Sequence, residues 1–277
     1  MKKQSYLKLT FYLCSLFFIL TFGLKTGAAL DYDMDGDNDV DGSDLAHWSI
    51  NTDSIDTQKL ASEFGLTHTV DPMINYDDTH SGEATYYGAT GEGNCMFDAT
   101  PSNLMVAAMN NHDYYGSNAC GSYVRINGPD GQITVRIVDR CPECAPGDID
   151  LSEEAFTRIA DPVDGRVPIT WKYVEGEVTG PVQYKFKEGS NPYWTAVQIR
   201  NHLNPVKNVE MKNENGQWEM LHREMYNYFI YDTGMGQGPY DIRLTDVFGQ
   251  QVQDENIEFV EGGIVQGYCQ FPSVNNR

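Results

Sequence analysis

The chain has 277 residues and a formal net charge of −21, with 40 acidic residues against 19 basic ones. Nucleic acid would be repelled by this charge, and no basic stripe offsets it, so we predict no nucleic-acid partner; anionic polysaccharides such as pectate are disfavoured for the same reason. Neutral glycans and apolar surfaces remain open as partners, and the 12% aromatic content suits either a carbohydrate-binding face or a β-rich core.

Residues 1–29 have the layout of a secretory signal peptide. The basic start MKKQSYLK is followed by an apolar run from Phe11 to Leu24 and by the small residues of KTGAA, with cleavage predicted after Ala29. An uncleaved membrane anchor is the alternative, but the run is shorter than the roughly 20 residues of a comfortable span. We therefore expect a secreted, extracellular protein with no membrane attachment after cleavage.

Residues 30–70 open with an aspartate-rich loop, DMDGDNDVDGSDL. Its spacing places oxygen ligands at positions 1, 3, 5, 7, 9 and 12, the EF-hand arrangement for Ca²⁺; these are Asp33, Asp35, Asp37, Asp39 (through its backbone carbonyl), Asp41 and Asp44. Asn38 replaces the usual glycine at position 6, and Asp44 replaces the usual glutamate at position 12, as in dockerin loops, which this stretch resembles. LAHWSI and TQKLASEFG supply flanking helices.

A disordered acidic linker is the alternative for this loop, because blocks of like charge are usually disordered. A full dockerin carries two such loops, and only one clear copy is found here. We therefore favour a structural Ca²⁺ module over docking to a cohesin partner.

Residues 71–174 read as short strands with little helix. The strand signals are ATYYG, MVAAM, YVRI, ITVRIVD and VPITWKYV, and PDG makes a hairpin turn within INGPDGQITV. DLSEEAFTRIA is predicted as a helix capped by Ser152. The pattern predicts a small β-barrel. Residues 175–277 alternate through six or seven further short strands, which predicts a β-sandwich.

The middle region holds four cysteines. In an exported chain the expected state is disulfide rather than zinc or a thioredoxin-like redox pair, although neither alternative is excluded. We favour the pairs Cys95–Cys120 and Cys141–Cys144, while the sequence alone does not fix the connectivity and offers Cys269 no obvious mate.

Two aspartates flank the loop that carries Cys141 and Cys144. Asp139 ends a predicted strand, and Asp150 lies between Ile149 and Leu151, where partial burial would raise its pKa towards the range of a general acid. Both carboxylates can approach one groove if the loop folds back. The alternative is that each merely caps a turn or a helix.

Several ordered motifs resemble the expansin family. GEATYYG, GNCMFD, VAAMN, ACGSYV, IVDRCPECAPGDIDLS and RVPITWKYV resemble the first domain of bacterial and fungal expansins, a six-stranded double-psi β-barrel similar to family 45 endoglucanases. TGPVQYKFKEGSNPYWTAVQIRNHLNPV and EMYNYF resemble the second domain, an immunoglobulin-like β-sandwich that binds carbohydrate. The resemblance runs from about Tyr76 to Pro272 and implies a mainly β fold, preceded here by the short helical EF-hand-like segment.

The resemblance also implies site residues in the barrel. Asp150 matches the family's indispensable aspartate, the counterpart of the endoglucanase general acid, and Asp139 matches the second groove aspartate. Thr85 and Tyr87 match residues that contact the glucan. Cys141 stands where the family often has an aromatic residue, so a sugar contact is replaced there by a disulfide.

In the second domain the resemblance implies a row of stacking aromatics, Tyr193, Trp194 and Tyr226, with Lys187 near the same face. Tyr193 replaces a tryptophan common in the family, so we expect somewhat weaker binding. A core position is the alternative for Trp194.

The matching position for the endoglucanase base is Gly88, and neither Glu83 nor Glu92 falls there. The resemblance therefore implies loosening of cellulose–hemicellulose contacts without hydrolysis, with cellulose and neutral β-glucans as partners and no cofactor for the two expansin domains. The alternatives are a weak endo-β-1,4-glucanase that uses Asp150 as acid, and a pure binding module.

Overall fold

The computed structural model describes residues 74–274, which belong to one compact unit. The predicted signal peptide, the predicted calcium loop and its flanking helices all lie outside these residues. Among residues 74–274, no helix has the length and apolar character needed to cross a membrane.

The first half of the described chain is a closed six-stranded barrel, with the strand order β1-β5-β2-β4-β3-β6. The strands β1 and β5 are parallel, as are β2 and β4, and the remaining neighbours are antiparallel. The strand bounds are β1 His80–Tyr87, β2 Val106–Asn110, β3 Tyr123–Asn127, β4 Gln132–Cys141, β5 Ile149–Ser152 and β6 Val167–Val174.

Alternation of side chains fills the barrel. Along β4 the residues Ile133, Val135 and Ile137 are buried, while Thr134 and Arg136 between them are not, because successive side chains of a strand point to opposite faces. Two short helices complete this half, α1 (Asn111–Tyr114) and α2 (Glu153–Phe156).

The predicted helix DLSEEAFTRIA is wrong over much of its length. Asp150 and Leu151 belong to strand β5, and only the four residues of α2 are helical. Ser152 caps α2 as predicted, since its hydroxyl accepts from the Ala155 N–H at 3.0 Å. Past Phe156 the chain continues as turns, in which the Arg158 and Ile159 N–H groups donate to the carbonyls three residues earlier, and the Ile159 carbonyl accepts from the Asp130 N–H of the β3–β4 hairpin.

The second half packs two antiparallel sheets face to face. One sheet has the order β10-β9-β13-β14 and the other β11-β12-β8-β7-β15. The strand bounds are β7 Gln183–Phe186, β8 Thr195–Arg200, β9 Val206–Lys212, β10 Trp218–Met220, β11 His222–Arg223, β12 Phe229–Tyr231, β13 Tyr240–Asp246, β14 Gln251–Ile257 and β15 Ile264–Gln266. The mainly β fold, a barrel followed by a sandwich, is confirmed.

The segment WEMLHR forms two strands rather than one. Buried Leu221 separates β10 from β11, which belong to different sheets, and its N–H donates to the Val209 carbonyl. The chain therefore crosses from one layer to the other at this residue, which a period-2 pattern does not show.

Polar contacts join the barrel to the sandwich around a disulfide. Cys95 pairs with Cys120, and the Cys95 carbonyl accepts from the Gln198 side chain at 2.8 Å. The Tyr114 hydroxyl donates to the Met225 carbonyl at 2.9 Å. These contacts hold the two halves in one arrangement.

The cysteine pairing is the one that the sequence analysis favours, Cys95–Cys120 and Cys141–Cys144, with Cα atoms 5.5 and 5.4 Å apart. Cys269 is buried in the core of the sandwich and is not a free thiol.

Candidate functional site

Asp150 lies on the barrel surface beside Thr85. Strands β1 and β5 run parallel with Thr85 opposite Asp150, and the Thr85 hydroxyl donates to Asp150 Oδ1 at 2.6 Å. Partial burial, with further contributions from Glu143 and Asp139, raises the pKa of Asp150 above its ordinary value, although the Thr85 bond opposes the rise. Asp150 therefore keeps its proton to a higher pH than an exposed aspartate does.

Tyr87 follows Thr85 on the same face of β1. Its hydroxyl is buried and has no hydrogen-bond partner in the described part of the chain. Burial raises its pKa well above the ordinary value, and the negative charges of Asp139 and Asp150 add to the rise. The phenol is therefore neutral and lies close enough to both carboxylates to be affected by their charge.

Asp139 near the end of β4 is held by backbone donors. Its Oδ1 accepts from the Asn94 N–H at 2.6 Å and from its neighbour Arg140 N–H at 2.8 Å. Gly93 is required beside it, because a Cβ there would approach the Asp139 carboxyl carbon to 2.4 Å. Asp139 thus fixes the loop that leads to Cys95 as well as facing the groove.

The loop that follows β4 sets the position of Asp150. The disulfide Cys141–Cys144 closes its first turn, and Asp148 accepts from the Glu83 N–H at 2.8 Å and the Ala145 N–H at 3.3 Å. Gly82 allows close approach, since a Cβ at this position would lie 2.3 Å from the Gly147 carbonyl oxygen. The loop folds back onto β1, and the strand register places Asp139 of β4 and Asp150 of β5 on either side of Ala108 of β2. We call this part of the barrel surface, with Thr85 and Tyr87, the barrel groove.

The sandwich presents aromatic rings on one side. Tyr193 is 80% exposed, on a turn that Asn191 closes through its side-chain oxygen and the Tyr193 N–H. Trp194 and Tyr226 are partly buried and pack against one small cluster of buried residues, Ala196, Tyr228 and Ile230. Trp194 is therefore neither a core residue nor a free ring: one part is anchored and the rest is accessible.

Lys187 belongs to the same region, with its Nζ 5.7 Å from the centroid of the Tyr228 ring. Tyr228 is a supporting residue that the sequence analysis missed; it is 3% exposed and its ring lies 6.1 Å from that of Tyr226. Both tyrosines belong to EMYNYF, but they lie between β11 and β12 and not on a strand, so their spacing in the sequence does not predict this contact.

No cluster of three metal-binding side chains occurs among residues 74–274. The predicted Ca²⁺ ligands, Asp33 to Asp44, lie outside the described part of the chain.

Comparison with known proteins gives the same family for both halves. Residues 79–171 match a double-psi β-barrel family described as lytic transglycolase. The chain is 39% identical to expansin YoaJ of Bacillus subtilis over 71% of this chain and 88% of that protein, and 30% identical to expansin-like protein 2 of Dictyostelium discoideum over 70% of this chain and 50% of that protein.

A solved structure is also similar, that of a mutant expansin of Clavibacter michiganensis in complex with cellohexaose. It is 32% identical, covers 71% of this chain and 100% of the solved chain, and superposes with a TM-score of 0.67. On the identity and coverage of these matches, this chain belongs to the expansin family.

Proposed function

We propose that this expansin-like cell-wall protein binds cellulose and related neutral β-glucans and loosens their networks without cutting the chains. The observation that carries the proposal is the unequal state of the two groove carboxylates. Asp150 has a raised pKa and one partner, Thr85, whereas Asp139 accepts two backbone N–H bonds through one oxygen.

Hydrolysis with inversion needs a carboxylate base across a water from the acid, at about 6.5–9.5 Å. Asp139 Oδ1 already accepts two backbone N–H bonds, so this oxygen is not free to take a proton from a water. The place of the endoglucanase base is held by Gly88, around which a Cβ would meet nothing within 4 Å. Space for a catalytic carboxylate exists there, but the sequence supplies none.

In the proposed division of roles, residues 71–174 act on the polysaccharide, and residues 175–277 attach the protein to the cellulose surface. Tyr193, Trp194 and Tyr226 would stack on the CH faces of glucose rings, and apolar area removed from water would supply most of the affinity. In the barrel, Thr85, Tyr87, Asp139 and Asp150 would hydrogen-bond one strand of glucan. Hydrogen bonds that the glucan gains with the protein would compensate for hydrogen bonds that it loses to neighbouring polysaccharide chains.

The test is reducing-sugar release from amorphous cellulose and mixed-linkage glucan, beside a cellulose pull-down and an extension assay on wall strips. We expect binding and extension without sugar release, and loss of extension alone in Asp150→Ala. Gly88→Asp sharpens the result, because a carboxylate restored at the open base position is expected to give measurable hydrolysis. Extension unchanged in Asp150→Ala would overturn the proposal.

A weak endo-β-1,4-glucanase is the second candidate, and one observation favours it. Glu143 is exposed and raises the pKa of Asp150 through its charge, so a further carboxylate lies near the acid. Sugar release by the natural chain that vanishes in both Asp150→Ala and Glu143→Gln would establish this activity. Binding with neither extension nor sugar release would instead leave a pure binding module.

The sequence further supports export and a structural Ca²⁺ module at residues 30–70. We expect the mature chain to begin after Ala29 and to bind Ca²⁺ through Asp33 and its five partners. Calorimetric titration with Ca²⁺ tests this, with Asp35→Ala as the variant that should lose the heat of binding. Capture of a cohesin would extend the proposal to a docking role.

A further inference from the structure

A cleft lies at the junction of the barrel and the sandwich. It consists of two adjoining cavities of about 250 and 310 Å³. Both cavities are lined by Thr100, Tyr123 and Arg136, and none of the proposed glucan-contacting residues lines either one. The cleft is therefore a separate feature of the surface, and we call it the junction cleft.

Arg136 is the central side chain of the junction cleft. It points outward from β4, opposite Tyr123 of β3, and is half-buried. Its guanidinium carbon lies 4.9 Å from the centroid of the Phe97 ring. Within residues 74–274 this guanidinium makes no ion pair or hydrogen bond, so its donors face the cleft without an acceptor.

Arg200 of the sandwich lies near the same Phe97 ring as Arg136. Its guanidinium carbon is 5.5 Å from the same Phe97 ring, and its nitrogens pair with Asp98 and with the Gln198 side chain. Burial lowers the pKa of Arg136, and the positive charge of Arg200 contributes to the lowering. Arg136 is thus a partly desolvated cation whose charge the described residues leave uncompensated, which is unfavourable for the fold by itself.

The charges of the other ionisable groups in the junction cleft favour the binding of one anion at Arg136. Asp98 is engaged by Arg200 and by Lys185, whose Nζ lies 3.6 Å from it. Burial lowers the pKa of His202 to about 4, so this ring is neutral at ordinary pH. Glu177 lines the second cavity but makes no ion pair with Arg136. A single negative charge at Arg136 would be stabilised, whereas a polyanion would meet Glu177 and the net charge of −21.

We propose that the junction cleft binds one carboxylate carried on an otherwise neutral wall glycan, that is, a uronic acid substituent of a hemicellulose. The inference rests on the proposed function, in which this protein binds wall polysaccharides. The planar guanidinium presents paired donors that match a carboxylate. The Tyr123 hydroxyl and the Gln183 amide, which line the cleft, are groups available to sugar hydroxyls. The Thr100 hydroxyl donates to the Asn103 carbonyl and can still accept from a sugar.

The experiment is calorimetric titration of the full chain with a uronate-substituted xylooligosaccharide and with the same oligosaccharide after reduction of its carboxyl group. The acidic form is expected to bind about tenfold more tightly, the size of one charge-assisted hydrogen-bond contribution, and the preference should shrink at high salt. Arg136→Met keeps the apolar stem, removes the charge and should abolish the preference.

Arg125→Met is the matched control, because Arg125 is an exposed arginine on β3 that does not line the junction cleft. It should bind both oligosaccharides like the natural chain. Arg136→Met should also unfold at the same or a higher temperature in the absence of ligand, since it removes an uncompensated charge; this measurement separates loss of the site from loss of the fold.

Equal affinity for the acidic and the reduced oligosaccharide would overturn the proposal, as would equal loss of preference in the Arg125 and Arg136 variants. Inorganic phosphate that binds as tightly as the acidic oligosaccharide would show a general anion site and would also overturn it. A cellulose pull-down with Tyr193→Ala reports on the proposed function separately, because Tyr193 lies outside the junction cleft.

Discussion

The barrel groove is built on β-strands, whereas the aromatic face of the sandwich lies on the segments between strands, and the two regions hold their functional groups in opposite ways. In the groove, Thr85, Asp139 and Asp150 are each fixed by a hydrogen bond of at most 2.8 Å. On the face, Tyr193 is held only through its backbone, and its ring is 80% exposed.

Under the proposed function, this difference separates the residues that act on the polysaccharide from the residues that attach the protein to it. Hydrogen-bonded carboxylates in partial burial are sensitive to geometry and to pH, so the groove can respond to a substrate's exact arrangement. Stacking rings gain free energy from area and tolerate displacement along a crystal surface. If the two regions are independent, a change in the groove should alter wall extension without altering cellulose binding.

The largest expected effect is in the groove. Asp150→Asn keeps the shape of the side chain and its bond with Thr85 but removes the titratable proton. Wall extension should fall to the level of a buffer control, while the amount of protein bound to cellulose stays unchanged. A parallel loss of cellulose binding would show that the groove also carries attachment.

The next effect is on the aromatic face. Tyr193→Ala combined with Trp194→Ala should weaken cellulose binding about 30-fold, since each ring that buries one face contributes roughly 1 kcal/mol. Trp218→Ala is the control, because its ring lies on the other sheet between Arg243 and Lys212. Similar weakening by both changes would contradict the assignment of the binding face. Tyr193→Ala alone leaves the packed cluster intact and excludes misfolding as the cause.

The two regions should differ in pH dependence: wall extension should depend on pH, and cellulose binding should not. Because the pKa of Asp150 is raised, its protonated form is present below that pKa and is lost as pH rises through it. Extension that needs this proton should decline by about tenfold per pH unit above the pKa, whereas cellulose binding should stay flat. Extension that increases with pH would mean that the carboxylate is the active form.

The smallest effect on wall extension and cellulose binding is expected at the junction between the halves, where a change affects stability instead. The pKa of His202 falls from 6.5 to about 4 because the ring is buried, with its Nδ1 2.9 Å from the Asn204 carbonyl oxygen. The unfolded chain binds a proton that the folded chain refuses, so stability is full above pH 6.5 and is lost as pH falls towards 4.

The loss of unfolding free energy over this range should be on the order of 3 kcal/mol, and His202→Gln should remove this part of the pH dependence. Urea unfolding at several pH values measures it, with His222→Gln as the exposed control. If both variants show the same dependence of unfolding free energy on pH, His202 is not the group that destabilises the protein in acid.

Much of the fold follows from local pattern. VPITWKYV alternates without interruption, and its predicted bounds are those of β6. Strand β5 escaped prediction because its four residues run directly into α2, and the apolar positions Phe156, Ile159 and Ala160 favoured a helix over the whole segment. Only the pairing of β5 with β1 and β2 decides that Asp150 is on a strand.

By itself the sequence determined the chemistry of the groups and their order: two aspartates around a cysteine loop, a glycine where the family resemblance places a base, and aromatic residues in two short segments. The tertiary structure decided what each group can do, because that depends on partners distant in sequence. The Asn94 N–H donates to the Asp139 carboxylate, and the Thr85 hydroxyl donates to Asp150. The Arg136 guanidinium lies beside Phe97 with no acceptor among residues 74–274. A residue's type fixes which bonds it can form, but only the packed chain fixes which bonds remain to be made with a ligand.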